Sequence, residues 1–419
     1  MDNNLMNNRN VEAMVRETKR KTLSLIHEME YKTEEIHMKG ILENYDPSEC
    51  AQYIPEKVKT VVFIITRMVR FHGGQTSILH LGTELVKLGY KVAYLSYKQQ
   101  SREEMEICAK ANLGNYQGKV YPMKTFRAAI NAGKCSEPDI VVATSWDTVS
   151  FAKKFTSSYK MYFVQDYEPY FYKFGEEFLM AKSTYEQGLH MVSLGEWNKM
   201  MIEKECGADE TRRIDVVPFP YEKQEYPRLK REYTNYIDKK KIKIAVYMKY
   251  YGKRLPNLIP YMLKNTAAKF EKDGIEMEVV YFGEAKTFKS EGGKNLGQLN
   301  KEEMLTLYRE CDFGMVASMS NISLVPYEMH SAGLPLIEFA DGTYPYFFRE
   351  KTAILTKIGK KDIYDELKNV LDDPSVLVEM QKRADEDMEN LSWEITGKKF
   401  AEILEAILIK KDSCSSKEN

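Results

Sequence analysis

A chain of 419 residues exceeds what one ordinary core supports, so two domains of Rossmann-like size are expected. With 61 basic and 62 acidic residues, the net charge of -1 gives no electrostatic case for nucleic acid as the main ligand. Six cysteines (Cys50, Cys108, Cys135, Cys206, Cys311 and Cys414) are scattered without a CxxC pair, which argues for reduced thiols and against a zinc site or disulfide framework. The polar opening MDNNLMNNRN lacks the apolar core of a signal peptide. The longest apolar runs, such as TVVFIIT, are too short to span a bilayer. A cytoplasmic protein is expected, with peripheral contact at the inner face of the cell membrane left open.

Residues 11–44 are charged and follow helical spacing, with Val11, Met14, Val15, Leu25, Ile26, Met29 and Ile36 as a stripe. This predicts a helical extension over 1–54 that packs on the first domain or on a second copy in a homodimer. A membrane-surface helix is disfavoured because acidic residues interrupt its basic face. From residue 58 the pattern changes to short apolar runs separated by helical stretches. VKTVVFIIT, YKVAYLSY, DIVVATS, KMYFVQD, HMVSLGEW and IDVVPFP read as strands, and Thr76 to Leu88 as the first helix between them. Continuous apolar strands separated by helices predict a parallel sheet covered on both faces, over 55–225.

YEKQEYPRLKREYTNYIDKKK is charged and Tyr-rich and reads as a linker. The pattern then restarts over 240–390, with strands at KIAVYMKY, MEVVYFGE, DFGMVAS and LPLIEF and helices at Leu258–Phe270 and Lys301–Glu310. SWEITGKKFAEILEAIL predicts an amphipathic helix over 391–410 that crosses back to the first domain. Two such α/β domains place ligands in the crevice between their strand ends.

Four segments could carry chemistry there. RFHGGQTS follows the first strand and opens a helix, so Gly73 and Gly74 let the backbone approach a ligand and the helix start offers free N–H groups to an anion. It is not GxGxxG, which counts against a dinucleotide dehydrogenase. His72 either faces the cleft or caps the turn. FVQDYEPYFYKFG puts Asp166 and Glu168 at a strand end among aromatic residues, a combination suited to sugar rings and hydroxyls. An aromatic packing loop is the plainer reading. YMKYYGKR ends the first strand of the second half with Lys249, Lys253 and Arg254, which suit a diphosphate leaving group. In ASMSNISLVPYEMHSAGLPLIEFADG, Pro326 is read at the helix start and Glu328 in its first turn, where the helix dipole alone would favour an acid by about 0.3–1 kcal/mol. The small residues Ser331, Ala332 and Gly333 let that helix approach another backbone.

Taken in order, these pieces resemble GT-B fold glycosyltransferases of family 4. The glycine turn, the basic strand end, NLGQLNKEEMLTLYRECDFGMVAS and PYEMHSAGLPLIEF carry the likeness. YFVQDYEPYFY together with YEMHSAG resembles the WsaF-type bacterial rhamnosyltransferases in particular, over residues 55 to 410. The resemblance implies an α/β protein with two Rossmann-like domains facing across a cleft. It implies transfer of L-rhamnose from dTDP-L-rhamnose, with retention and without a metal or other cofactor, onto a bacterial surface glycan whose acceptor can be lipid-linked.

By the same resemblance Glu328 binds the donor ribose, Lys249 and Arg254 the pyrophosphate, and Gly73 and Gly74 lie near the transferred sugar and acceptor. The candidate catalytic groups are Asp166, Glu168 and His72. The wider family carries a second glutamate eight residues before Glu328, and this chain has Ser320 there, as WsaF-like sequences also depart at that position. That shifts weight to Asp166 and Glu168. Transfer from another UDP- or GDP-sugar, a nucleotide-sugar epimerase, and an inactive glycan-assembly scaffold are the alternatives.

Overall fold

The computed structural model describes residues 2–415 apart from 208, 210, 223–225, 251, 288, 290–291 and 359–362, with side chains described from 17 to 409. The chain divides after Ser48, and residues from Glu49 onward form one unit. The first unit is dominated by a helix, α1 (Asp2–Leu42), with Lys21–Glu17 and Lys32–Glu28 ion pairs at i,i+4 spacing. Leu25, Ile26, Met29 and Ile36 of the expected stripe are exposed, while the side chains of Val11, Met14 and Val15 lie outside the described residues. The boundary falls before residue 54 because Gln52 is tied to the first sheet. Its Nε2 donates to the Lys160 and Gly188 carbonyls, and its Oε1 accepts the Lys160 N–H.

Seven strands follow: β1 (Thr60–Ile65), β2 (Lys91–Ser96), β3 (Lys119–Pro122), β4 (Ile140–Ala143), β5 (Tyr159–Val164), β6 (His190–Leu194) and β7 (Ile214–Val217). They alternate with α2 (Gly73–Lys87), α3 (Arg102–Asn112), α4 (Met123–Asn131), α5 (Trp146–Ala152), α6 (Glu176–Ser183) and α7 (Glu196–Cys206). The sheet is parallel, in the order β3-β2-β1-β4-β5-β6-β7. Its strands serve two faces by simple alternation. Val61, Phe63 and Ile65 enter one core, and Val62 and Ile64 enter another.

The second sheet contains β8 (Lys241–Tyr247), β9 (Glu276–Phe282), β10 (Lys294–Asn295), β11 (Phe313–Met315), β12 (Leu336–Phe339) and β13 (Ile354–Thr356). It is also parallel, ordered β10-β9-β8-β11-β12-β13. Its helices are α8 (Leu258–Lys272), α9 (Lys301–Glu310), α10 (Leu324–Ser331), α11 (Ile363–Asp372) and α12 (Val376–Asp387). Helix α9 starts where Asn300 and Glu303 form a capping box. Strands β3, β10 and β13 escape a reading by apolar runs, since all three are short and lie at sheet edges.

A last helix, α13 (Trp393–Ser415), packs on the first domain as expected. Phe400 meets Phe163 of β5 edge-on at 6.1 Å, Trp393 stacks on His80 of α2, and Thr396 donates to the Pro218 carbonyl. The linker departs from its description as a simple connector. Tyr221, Tyr226 and Tyr236 are buried, and Arg231 donates to the Cys311 and Tyr308 carbonyls. Phe219 stacks on Tyr327 at 5.1 Å, so an apolar core runs between the two domains. Cys50, Cys108, Cys135, Cys206 and Cys311 are free thiols, and the Cys414 side chain lies outside the described residues. Among the described residues no helix is long and apolar enough to cross a membrane.

Candidate functional site

Beyond the carboxyl ends of β1, β5, β8 and β11 the two domains meet, with Ser320, Asn321 and Lys253 on Asp166 and with Lys249 and Lys253 near His72. On the first-domain side, the loop after β1 is pinned by Gln75, whose side chain accepts the Val69 N–H and donates to the Arg67 carbonyl. Asn112 holds it from α3 by accepting the His72 N–H. The left-handed residue of this turn is Phe71, at φ 55°, and neither Gly73 nor Gly74 has a positive φ. The glycines therefore open space. A Cβ on Gly73 would meet nothing within 4 Å, and one on Gly74 would touch His72 and Gln165 at 3.4–3.5 Å.

His72 resolves the choice between cap and cleft by doing both. Its Nδ1 accepts the Gln75 N–H at 3.3 Å as the N-cap of α2. Desolvation lowers its pKa, and the nearby Lys249 and Lys253 of the second domain lower it further. A neutral ring with Nδ1 accepting carries its proton on Nε2, so His72 is a donor there.

On the second-domain side, Lys249 donates to the Gly283 carbonyl, and desolvation lowers its pKa. Arg254 is almost fully buried. Its Nη1 donates to the Ala317 carbonyl at 2.7 Å, and its guanidinium lies 5.4 Å from the Tyr247 ring centroid. It thereby braces the loop of residues 317–321. That loop is held from beneath by Glu338, which accepts the Ser318 N–H and Oγ–H, and by Thr343, whose Oγ1 donates to the Ser318 and Ser320 carbonyls.

Ser320 and Asp166 meet across the domains: Ser320 Oγ donates to Asp166 Oδ2 at 3.0 Å. The position where the sequence lacks a carboxylate thus has one beside it, supplied by the other domain. Asn321, singled out by nothing in the sequence, adds its N–H to Asp166 and its amide to the Gln165 and Leu194 carbonyls.

Glu168 is corrected. It is buried inside the first domain, where Oε2 accepts the Trp146 N–H at 2.8 Å and Oε1 the Tyr162 hydroxyl at 2.9 Å. Burial pushes its pKa up to about 8. Its oxygens are taken by the start of α5 and by β5, which leaves Asp166 as the acid of this segment that reaches the second domain.

Glu328 also changes. Helix α10 begins at Leu324, so Glu328 is its fifth residue and lies beyond the first turn, where the dipole favours an acid. Its carboxylate raises the pKa of Tyr308 and of Tyr247, in each case after burial, and Tyr308 Oη lies 3.5 Å from Oε2. Since Tyr247 also lies beneath Arg254, Glu328 is on the side of the cations. The small residues that follow it approach the linker backbone. Leu229 N–H donates to the Ala332 carbonyl, Ser331 Oγ to the Tyr226 carbonyl, and a Cβ on Gly333 would press on Arg228 and Leu229. They pack the end of α10 against the linker.

Among the described residues no group of three or more His, Cys, Asp and Glu is placed to hold a metal ion. Lys249, Lys253 and Arg254 lie close together after β8, with Lys253 paired to Asp166.

Residues 120–196 match the family described as WsaF, N-terminal domain. No curated protein matches the chain. Among solved structures, sucrose-phosphate synthase from Thermosynechococcus elongatus is similar at 13% identity and a TM-score of 0.62, covering 84% of this chain and 100% of its own. A glycosyltransferase from Rickettsia africae is similar at 13% identity and 0.61, covering 84% and 99%. HepE from Anabaena, in complex with UDP-glucose, is similar at 10% identity and 0.61, covering 83% and 99%. The fold is GT-B, two parallel-sheet domains with flanking helices.

Proposed function

We propose that this chain, which has the GT-B fold and whose residues 120–196 match a WsaF N-terminal domain, is a glycosyltransferase using a nucleoside diphosphate sugar. The finer reading is transfer of L-rhamnose from dTDP-L-rhamnose to a hydroxyl of a bacterial surface glycan, with retention and without a metal. The observation that carries it is the gathering of Lys249, Lys253 and Arg254 at the end of β8, opposite His72 and Asp166 at strand ends of the first domain.

In this reading the cations neutralise charge that grows on the diphosphate as the bond from the anomeric carbon to phosphate oxygen breaks. Glu328 accepts hydroxyl hydrogens of the donor ribose, on the side of Arg254. His72 donates through Nε2. The acceptor oxygen bonds to the anomeric carbon on the face the diphosphate leaves, and its proton passes to a departing phosphate oxygen. The carboxylate facing the donor sugar comes from the first domain, as Asp166, in place of the side chain that Ser320 lacks.

A UDP-sugar donor is the competing reading, supported by the UDP-glucose bound to HepE. Calorimetry with dTDP, UDP and GDP separates the two, followed by product analysis with the matching sugar donors. Glu328→Gln is expected to weaken binding of the preferred nucleotide by about tenfold to a hundredfold, the worth of a hydrogen bond to a charged group, with the melting temperature retained. Unchanged nucleotide binding in that variant removes Glu328 from the donor site. Binding without release of nucleoside diphosphate for any donor and acceptor supports the inactive scaffold.

A further inference from the structure

Asp166 carries four hydrogen bonds, two on each oxygen. Oδ1 accepts the N–H groups of Tyr167 at 2.9 Å and Asn321 at 3.0 Å, and Oδ2 accepts Ser320 Oγ at 3.0 Å and Lys253 Nζ at 2.8 Å. A carboxylate offers about four lone-pair positions, so Asp166 is saturated. Three of its donors belong to the second domain. Lys253 is likewise held from the first domain, by Asp166 and by the Phe171 ring, whose centroid lies 4.4 Å from Nζ. The same ammonium acts on His72 together with Lys249, so it shares the crevice with the cations assigned to the diphosphate.

We infer that Asp166 and Lys253 form an exchange latch between the domains: Lys253 passes from Asp166 to the diphosphate of a bound nucleotide, and in leaving frees an acceptor position on Asp166 Oδ2. The inference rests on the reading of the crevice as a nucleoside diphosphate site. One cation here faces two anions, and a diphosphate carries more charge than a carboxylate, so it draws the ammonium across. The freed Oδ2 lies beside Ser320, where it can accept a hydroxyl of the donor sugar. Asp166 thus couples nucleotide occupancy to the seam between the domains, and it acts on the diphosphate through Lys253 as a positioning residue.

Asp166→Asn keeps the shape and removes the charge that detains Lys253. The expected result is dTDP binding about tenfold tighter than wild type by calorimetry. Lys253→Met is expected to bind dTDP about tenfold more weakly, and adding Asp166→Asn to it is expected to change nothing further. A merely structural Asp166 predicts equal or weaker binding in Asp166→Asn at an unchanged melting temperature, and that result overturns the latch. So does a gain that persists in the Lys253→Met background. Failure of the underlying reading looks different: the wild-type protein then binds none of dTDP, UDP and GDP, which removes the exchange partner and overturns the latch with it.

Discussion

Ser318 Oγ donates to Glu338 Oε1 at 2.6 Å, beneath the loop that carries Ser320 to Asp166. The second oxygen of Glu338 accepts the N–H groups of Ser318 and Phe339. A fully buried carboxylate therefore sets the height of the loop that closes the domain seam. Glu168 performs the matching task on the other side, holding the end of β5 from which Asp166 projects.

These two acids give stability a pH dependence of definite sign. Burial pushes Glu338 up to about 7 and Glu168 up to about 8, against an ordinary glutamate value of 4.5. The folded state therefore holds protons that the unfolded chain has lost, and these two groups lower stability as pH rises from 4.5 towards 8, while His80 and His330, lowered by burial to about 4 and about 3, act in the opposite sense below 6.5. Urea unfolding at pH 6.5, 7, 7.5 and 8, above the window in which the histidines oppose the effect, is expected to show a loss of order 1–3 kcal/mol. Glu168→Gln should flatten the slope, and an equally steep curve in that variant would remove Glu168 as a cause.

Arg254 has a structural and an electrostatic task, and the two should separate in measurement. Arg254→Met leaves the Ala317 carbonyl without its donor, at a cost of about 1–3 kcal/mol. It also removes one of the crevice cations. Thermal unfolding and kcat/KM for the preferred donor are both expected to fall, the latter by about a hundredfold or more. Lys249→Ala should lower nucleotide affinity with a smaller thermal effect, since Lys249 is only half-buried.

The crossing helix depends on close approach at Gly397, where an added Cβ would overlap Cβ of Glu84 on α2. Gly397→Ala improves helix propensity by about 1 kcal/mol, yet overpacking of this contact is expected to cost about 1–3 kcal/mol. Denaturant unfolding should therefore show a net loss of stability. A gain would mean that α13 is free to shift away from α2.

The repeated order of apolar runs and helical stretches determined the two parallel sheets, because buried parallel strands must be apolar along their length. Asn300 and Glu303 likewise fixed the start of α9 through local capping. The segments that follow the strands were also legible as the carriers of Lys249, Lys253, Arg254, Asp166 and His72. Their partners were not. Sequence places Glu328 in the first turn of a helix, whereas the helix begins earlier and turns that acid towards Tyr308. It places Glu168 beside Asp166 as an equal, whereas the β5 end turns one acid into the core and the other out to the second domain. The pairing of Asp166 with Lys253 and Ser320 joins residues 87 and 154 positions apart. Burial and hydrogen bonding over such separations are decided only when the domains pack, because the energy of a carboxylate depends on which donors reach it.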